Sequence, residues 1–286
     1  MKRYGFLCLL GVLLLTGCNS SKKRVPKGES TNQVKYGVFL GCDSSSVNKI
    51  KSYPNVAIDL DSFNAGAIST LKQSNCSIYA YLSVGSLEKY RSYYEDFKNI
   101  TFMDYENWPD ERWVDVSNEL WKSHLVSEAN RLKNNGADGL FLDNFDVYYI
   151  ANEEYKGTDI DAELIYQSCI EILSNLSELN LKIMVNSGTD FLERLHEENS
   201  PLLSKINVYC QECVFSSIED YKNNVFGRQN SEDHLYYLEI IRFMRYYGDI
   251  LMLEYTKDDS LKQEIQSYCD DNAYHFFISN NVDLKV

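Results

Sequence analysis

Eight short apolar runs, each ending in polar or acidic residues, constrain the fold of this chain more than any other feature. They cover residues 36–40, 56–60, 77–84, 139–143, 181–186, 206–211, 250–255 and 275–279. Runs of this length read as buried strands, and the amphipathic stretches between them read as helices. Strand and helix in alternation build a parallel sheet. Eight such units across residues 34–286 match the roughly 250 residues of a (β/α)8 TIM barrel, so the expected fold class is α/β with one barrel domain.

The intervening helices are legible. Ser117 is placed to cap a helix running to about Asn135, with Leu120, Leu125, Ala129 and Leu132 near one face and Gly136 as its stop. Residues 159–179 carry Leu164, Cys169, Ile172 and Leu176 at helical spacing, and residues 232–247 carry Leu235, Leu238, Ile241 and Met244. Such stripes predict core packing. Two features fit less neatly. Only seven residues follow the eighth strand, so the usual last helix is missing or replaced from upstream. The connection over residues 85–116 is long, and long connections on a barrel rim are usually functional or covering.

Residues 136–146, GADGLFLDNFD, place Asp143 where the fourth strand ends and Asn144 and Asp146 in the loop behind it. Chemistry on a parallel barrel is done at the C-terminal strand ends. A carboxylate there is costly unless it is used or paired, the plainer alternative being a cap on the next element. The other strand ends bring Asp43, Asp59 and Asp61, Ser83 with Glu88 and Arg91, Asn186, Glu212, and Glu254 with Tyr255 to the same mouth. An acidic mouth with aromatic neighbours suggests glycoside hydrolysis, which needs one carboxyl group as acid and another as nucleophile or base. Asp143 is the better placed first carboxylate. Glu212 is preferred as the second because its otherwise apolar strand would raise its pKa; Glu254, ending the seventh strand, is its rival. Arg91 is placed to pair with a cleft carboxylate. The chain has 22 Tyr, several beside predicted strands, and their rings suit sugar faces. Trp108 and Trp113 lie in the long connection, lining a cleft or fastening the loop.

The N-terminus reads as an export signal: Lys2 and Arg3, then an apolar stretch too short to span a membrane comfortably. It ends in Leu15-Thr16-Gly17-Cys18, which resembles a bacterial lipobox. Residues 1–17 are then a removable signal, Cys18 a lipidation site, and residues 18–33 a polar tether, giving an outward-facing lipoprotein held to the membrane through its lipid. The formal charge is -14, which argues against nucleic acid and is compatible with neutral or cationic substrates. Six Cys remain beyond Cys8 and Cys18, and in an exported protein they are candidates for disulfides. Cys210-Gln211-Glu212-Cys213 lies in a predicted strand rather than at a helix start, so no redox role is expected. With no second such pair and scattered His, no metal or other cofactor is expected.

Several blocks together resemble glycoside hydrolase family 114. Tyr81-Leu82-Ser83-Val84-Gly85 with Glu88, Tyr90 and Arg91 is similar to that family's Y-x-S-V-G-x-x-E-x-x-R segment. Trp113-Val114-Asp115-Val116 resembles its W-x-D-V block, residues 136–146 its G-x-D-G-x-x-L-D-N-x-D block, and Asn186-Ser187-Gly188 and Gln211-Glu212 its later blocks. The resemblance implies a TIM barrel with endo-α-1,4-polygalactosaminidase-like activity that needs no metal. It implies a retaining mechanism with Asp143 as nucleophile and Glu212 as acid/base. Tyr81, Ser83, Glu88, Arg91, Asp115, Asn144, Asp146, Asn186 and Tyr255 would shape the substrate cleft. Cys210 and Cys213 depart from the family pattern, as do the rim connections, which leaves sugar identity open. Two other readings stand beside this one: a non-catalytic glycan-binding lipoprotein on the same scaffold, and a hydrolase of another amino-sugar polymer.

Overall fold

The computed structural model describes residues 36–155 and 160–286. The expected signal, Cys18 and the tether lie outside the described residues. The described residues form one compact unit. Its eight main strands are β1 (Tyr36–Val38), β2 (Asn55–Ile58), β3 (Ser77–Ser83), β4 (Gly139–Asp143), β5 (Lys182–Asn186), β6 (Val208–Glu212), β7 (Asp249–Tyr255) and β8 (His275–Ser279). All pair in parallel and in chain order. The end strands β1 and β8 meet through side chains, with Tyr36 against His275 at 4.9 Å and Phe39 against Phe277 at 5.0 Å between ring centroids. Each expected strand is present, 139–143 and 275–279 with the expected bounds and the others within two residues at either end.

Alternation along the strands builds two cores. Tyr79, Tyr81, Phe141, Met184, Val208, Cys210, Leu251 and Leu253 fill the barrel interior. Their neighbours Leu140, Leu142, Ile183, Val185, Tyr209 and Met252 pack outward, in the core shared with the helices.

The helices begin slightly differently from expectation. Asn118, not Ser117, caps the helix Glu119–Asn134, accepting from the backbone N–H groups of Leu120 and Trp121. Trp121, Leu125, Ala129 and Leu132 face inward, whereas Leu120 is exposed. In Ala162–Ser177 it is Ile165 that turns inward and Leu164 that faces solvent. In Ser231–Met244 Leu235 is likewise exposed. In the first two, the residue one position on takes the inward direction. Gly136, at φ +108, stops the first helix as expected.

Two connections and the segment after β8 cover the mouth. The long one after β3 folds into an antiparallel sheet of Ser86–Glu88, Glu111–Val114 and Thr101–Asp104. A hairpin, Ser216–Asp220 with Val225–Arg228, follows β6. No helix follows β8. Residues 280–286 instead lie against Gly41, where a Cβ would meet the Asp283 carbonyl oxygen at 2.0 Å. The six candidates for disulfides, Cys42, Cys76, Cys169, Cys210, Cys213 and Cys269, are all free thiols, five of them buried as small apolar side chains. Among the described residues no helix is long and apolar enough to cross a membrane.

Candidate active site

Asp143, Asn186 and Glu212 end β4, β5 and β6. Each is followed at once by a residue in the left-handed region: Asn144 at φ +67, Ser187 at +50 and Cys213 at +56. Asn tolerates this conformation; for Ser and Cys it costs on the order of 1–3 kcal/mol. The chain thus turns away sharply behind each of the three side chains.

The Asn186 amide nitrogen donates to Asp143 Oδ1 at 3.0 Å and to Glu212 Oε1 at 2.6 Å. The nearest oxygens of the two carboxyl groups are therefore no further apart than the sum of these distances. Tyr255 donates its hydroxyl to Glu212 Oε2 at 2.8 Å, and Asn144 its backbone N–H to Asp143 Oδ1 at 3.0 Å. Burial, then the neighbouring Glu212 carboxyl, push the Asp143 pKa well above the usual carboxylate range. Burial raises Glu212 as well, against the hydrogen bonds from Asn186 and Tyr255.

This pair lies in a cleft of about 410 Å³. Of the expected residues, Asp143, Asn144, Asp146, Glu212, Tyr81, Glu88 and Tyr255 line it. Ser83, Arg91, Asp115 and Asn186 do not. Ser83 accepts from the Asn144 amide at 3.0 Å and so fixes that loop. Arg91 lies behind Glu88, donating to it at 2.8 Å and to Asp59 at 3.1 Å. Asp115 is turned away, where it accepts from the backbone N–H and hydroxyl of Ser117 in the turn before a helix.

A family model described as glycoside-hydrolase family GH114 matches residues 18–280. The chain belongs to this family. It is a glycoside hydrolase, as its sequence blocks imply. Similar solved structures include the glycoside hydrolase domain of PelA from Pseudomonas aeruginosa, with TM-score 0.73 and 17% identity over 88% of this chain and 96% of that one. Aspergillus fumigatus Ega3 in complex with galactosamine has TM-score 0.64 and 17% identity over 88% and 92%. The α-galactosidase TtGalA from Thermus thermophilus has TM-score 0.53 and 10% identity over 85% and 57%. These likenesses show the shared TIM-barrel fold. Among curated proteins, none matches the sequence.

The GH114 cleft also contains Tyr90 and Trp108, both named from the sequence, and further residues that sequence reasoning did not select. Tyr90, Tyr105, Trp108 and Glu111 enter from the long connection, Ile218 and Tyr221 from the hairpin, and residues 282–285 from the segment after β8. Trp108 therefore lines the cleft, whereas Trp113 is buried and stacks under Tyr105 with centroids 4.4 Å apart. Glu111 accepts from the Ser86 hydroxyl at 2.9 Å, and burial with the adjacent Glu88 pushes its pKa to about 7. Asp146 accepts from the Gly188 backbone N–H at 3.2 Å, and burial pushes it to about 7. Gly188 is at φ +68, with Phe145 only 2.8 Å from where its Cβ would stand.

Glu254, the rival second carboxylate, does not line the cleft. It is fully buried and accepts from the backbone N–H groups of Phe215 and Ser216 at 3.0 and 2.9 Å and from the Ser216 hydroxyl. It staples the loop behind Glu212 to β7. Burial brings its pKa to about 7. Among the described residues no group of His, Cys, Asp and Glu is arranged to hold a metal ion.

These raised carboxyl groups fix a pH dependence of stability. Glu111 and Glu254 rise from 4.5, and Asp146 from 3.8, to about 7 in the folded protein. The folded state then keeps protons that the unfolded chain releases, so stability present at low pH is lost as pH rises through 7. His124, whose burial lowers it from 6.5, works the other way, removing stability below that pH. The thermal midpoint is expected to be higher at about pH 6 than at about pH 8. A midpoint climbing across that interval would contradict the assignment.

Proposed function

We propose that this GH114 protein is a surface-anchored, endo-acting hydrolase of an α-1,4-linked galactosamine or N-acetylgalactosamine polymer. Asp143 is the nucleophile and Glu212 the acid/base. The observation carrying this reading is the single Asn186 nitrogen that holds both carboxyl groups at 3.0 and 2.6 Å. With their nearest oxygens no further apart than the sum of these two distances, the pair is compatible with the gap of about 5–5.5 Å used by retaining glycosidases. Glu212 gives its proton to the leaving glycosidic oxygen while Asp143 attacks the anomeric carbon. Glu212 then takes a proton from water as that water displaces Asp143, so the anomeric configuration is retained.

The acidic lining of the cleft supports this substrate class. Seven lining residues are acidic (Asp59, Glu88, Glu111, Asp143, Asp146, Glu212 and Asp283), against Lys285 as the basic one. As these groups ionise, Glu111 and Asp146 near pH 7, the cleft grows more negative and attracts a polymer bearing ammonium groups more strongly. Tyr81, Tyr90, Tyr105 and Trp108 supply rings for sugar faces. The Ega3 structure holds galactosamine, in keeping with this class. Surface anchoring rests on the Leu15-Thr16-Gly17-Cys18 motif.

Purified α-1,4-galactosaminan, fully acetylated or partly deacetylated, is the test substrate. Release of oligosaccharides of mixed length, faster from the partly deacetylated polymer, is the expected result. Binding without release would instead identify a glycan-binding protein, and hydrolysis of a different amino-sugar polymer alone would reassign the substrate.

A further inference from the structure

Asn186 is buried, at 4% exposure, and does not line the cleft. Only half of its amide is used. The nitrogen donates to Asp143 and Glu212, while Oδ1 is buried without a hydrogen-bond partner. Leaving an amide carbonyl unpaired in the interior costs about 1–3 kcal/mol. Turning the amide over would give up both donated hydrogen bonds and aim the carbonyl oxygen at the carboxylate of Asp143, which must be ionised to act as nucleophile. The amide is therefore set by the carboxyl pair, at the expense of its own second atom.

We propose that Asn186 is the positioning residue of the pair: one amide nitrogen fixes the gap between Asp143 and Glu212. This rests on reading those two residues as the reacting carboxyl groups. Hydrogen bonds to an ionised carboxylate favour it, so the same nitrogen lowers both pKa values against burial. The surrounding groups act on one member or the other. Glu111 and Asp146 raise Asp143; Tyr255 donates to Glu212; the Tyr81 and Tyr105 hydroxyls and the Cys210 thiol, all pushed up by burial, remain neutral around them. The backbone supports this role, since Asn186 ends β5 and the left-handed Ser187 follows it directly.

Asn186→Leu keeps the branched outline with bulkier methyl groups and removes the donor; Asn186→Asp keeps the shape and replaces the amide donor with a third carboxyl group. Each is compared with the intact protein by carboxyl-carbon NMR titration, thermal unfolding and kcat–pH profiles. Asp143 and Glu212 are expected to titrate at higher pH in both variants. For Asn186→Leu the relief of the orphaned carbonyl and the loss of two hydrogen bonds to buried carboxyl groups oppose each other, so the thermal midpoint should change little. Its kcat should fall by about 100-fold with little change in KM, and the acidic limb of the profile should move to higher pH. Unchanged titration of both carboxyl groups overturns the proposal. So does a loss of activity that merely tracks a loss of stability. The titration needs no substrate, so an intact protein that fails to cleave galactosaminan would overturn the proposed function and leave this inference separately decided.

Discussion

Asp143→Asn is expected to lower galactosaminan hydrolysis by on the order of 10⁴-fold, with a thermal midpoint equal to or above that of the unchanged protein. Both halves follow from one fact. Asp143 is a carboxyl group held in a desolvated site beside another acid. Desolvation and like-charge repulsion oppose its ionisation, so a neutral amide of the same shape relieves the fold while removing the nucleophile. Glu212→Gln should also lower hydrolysis, by roughly 10²–10⁴-fold. The two variants part on an activated aryl glycoside, whose leaving group needs no proton. There Glu212→Gln should form the glycosyl-enzyme at close to the normal rate, and Asp143→Asn should not. Product analysis by NMR should show the anomer of the starting bond. Full activity in either variant, or an inverted product, would overturn the assignment.

Arg91→Met is expected to give the largest loss of stability of any single change discussed, about 3–5 kcal/mol. Arg91 is 8% exposed and reaches Glu88, itself 2% exposed, and Asp59. Methionine fills the space of the aliphatic stem and leaves two acidic groups without their cation. At roughly 2–4 °C per kcal/mol for a domain of this size, the midpoint should fall by about 10 °C. Adding Glu88→Gln should restore part of it, because the uncompensated charge nearest the vacancy is gone. Glu88 and Tyr90 line the cleft, and Tyr90 donates to Glu88 at 2.9 Å, so KM should rise as well. An unchanged midpoint would mean that the cluster carries no stability.

The barrel was readable because strands buried on both faces are continuous apolar runs, and all eight stand out in this chain. Asp143 and Glu212 were readable because they end such runs. The ambiguity with Glu254 was one of parity. Leu253 is in register with Glu212, so Glu254 lies one residue further and faces the opposite way. Leu251, Leu253 and Tyr255 face the interior, which sends Glu254 outward into the loop that it staples. The same parity brings Asp143 inward beyond Phe141, and Asn186 beyond Met184. Glu111 and the hairpin after β6 were not readable. Glu111 lies among Trp, Pro, Asp and Arg with no apolar period to mark its direction, and its place depends on pairing with Glu88 across an antiparallel sheet. Asp115 carried a family block but no strand end, and its carboxyl group is occupied by Ser117.

The left-handed residues at 144, 187 and 213 have one more consequence. The two carboxyl groups of the proposed reaction end strands of the barrel wall, and apart from Tyr81 and Tyr255 on the wall itself the other cleft residues lie in the segments beyond the strand ends. The loops beyond that boundary can lengthen, shorten or exchange aromatic and acidic groups without dragging the reacting pair out of place. A scaffold divided in this way can change the polymer it accepts far more readily than the bond it cleaves.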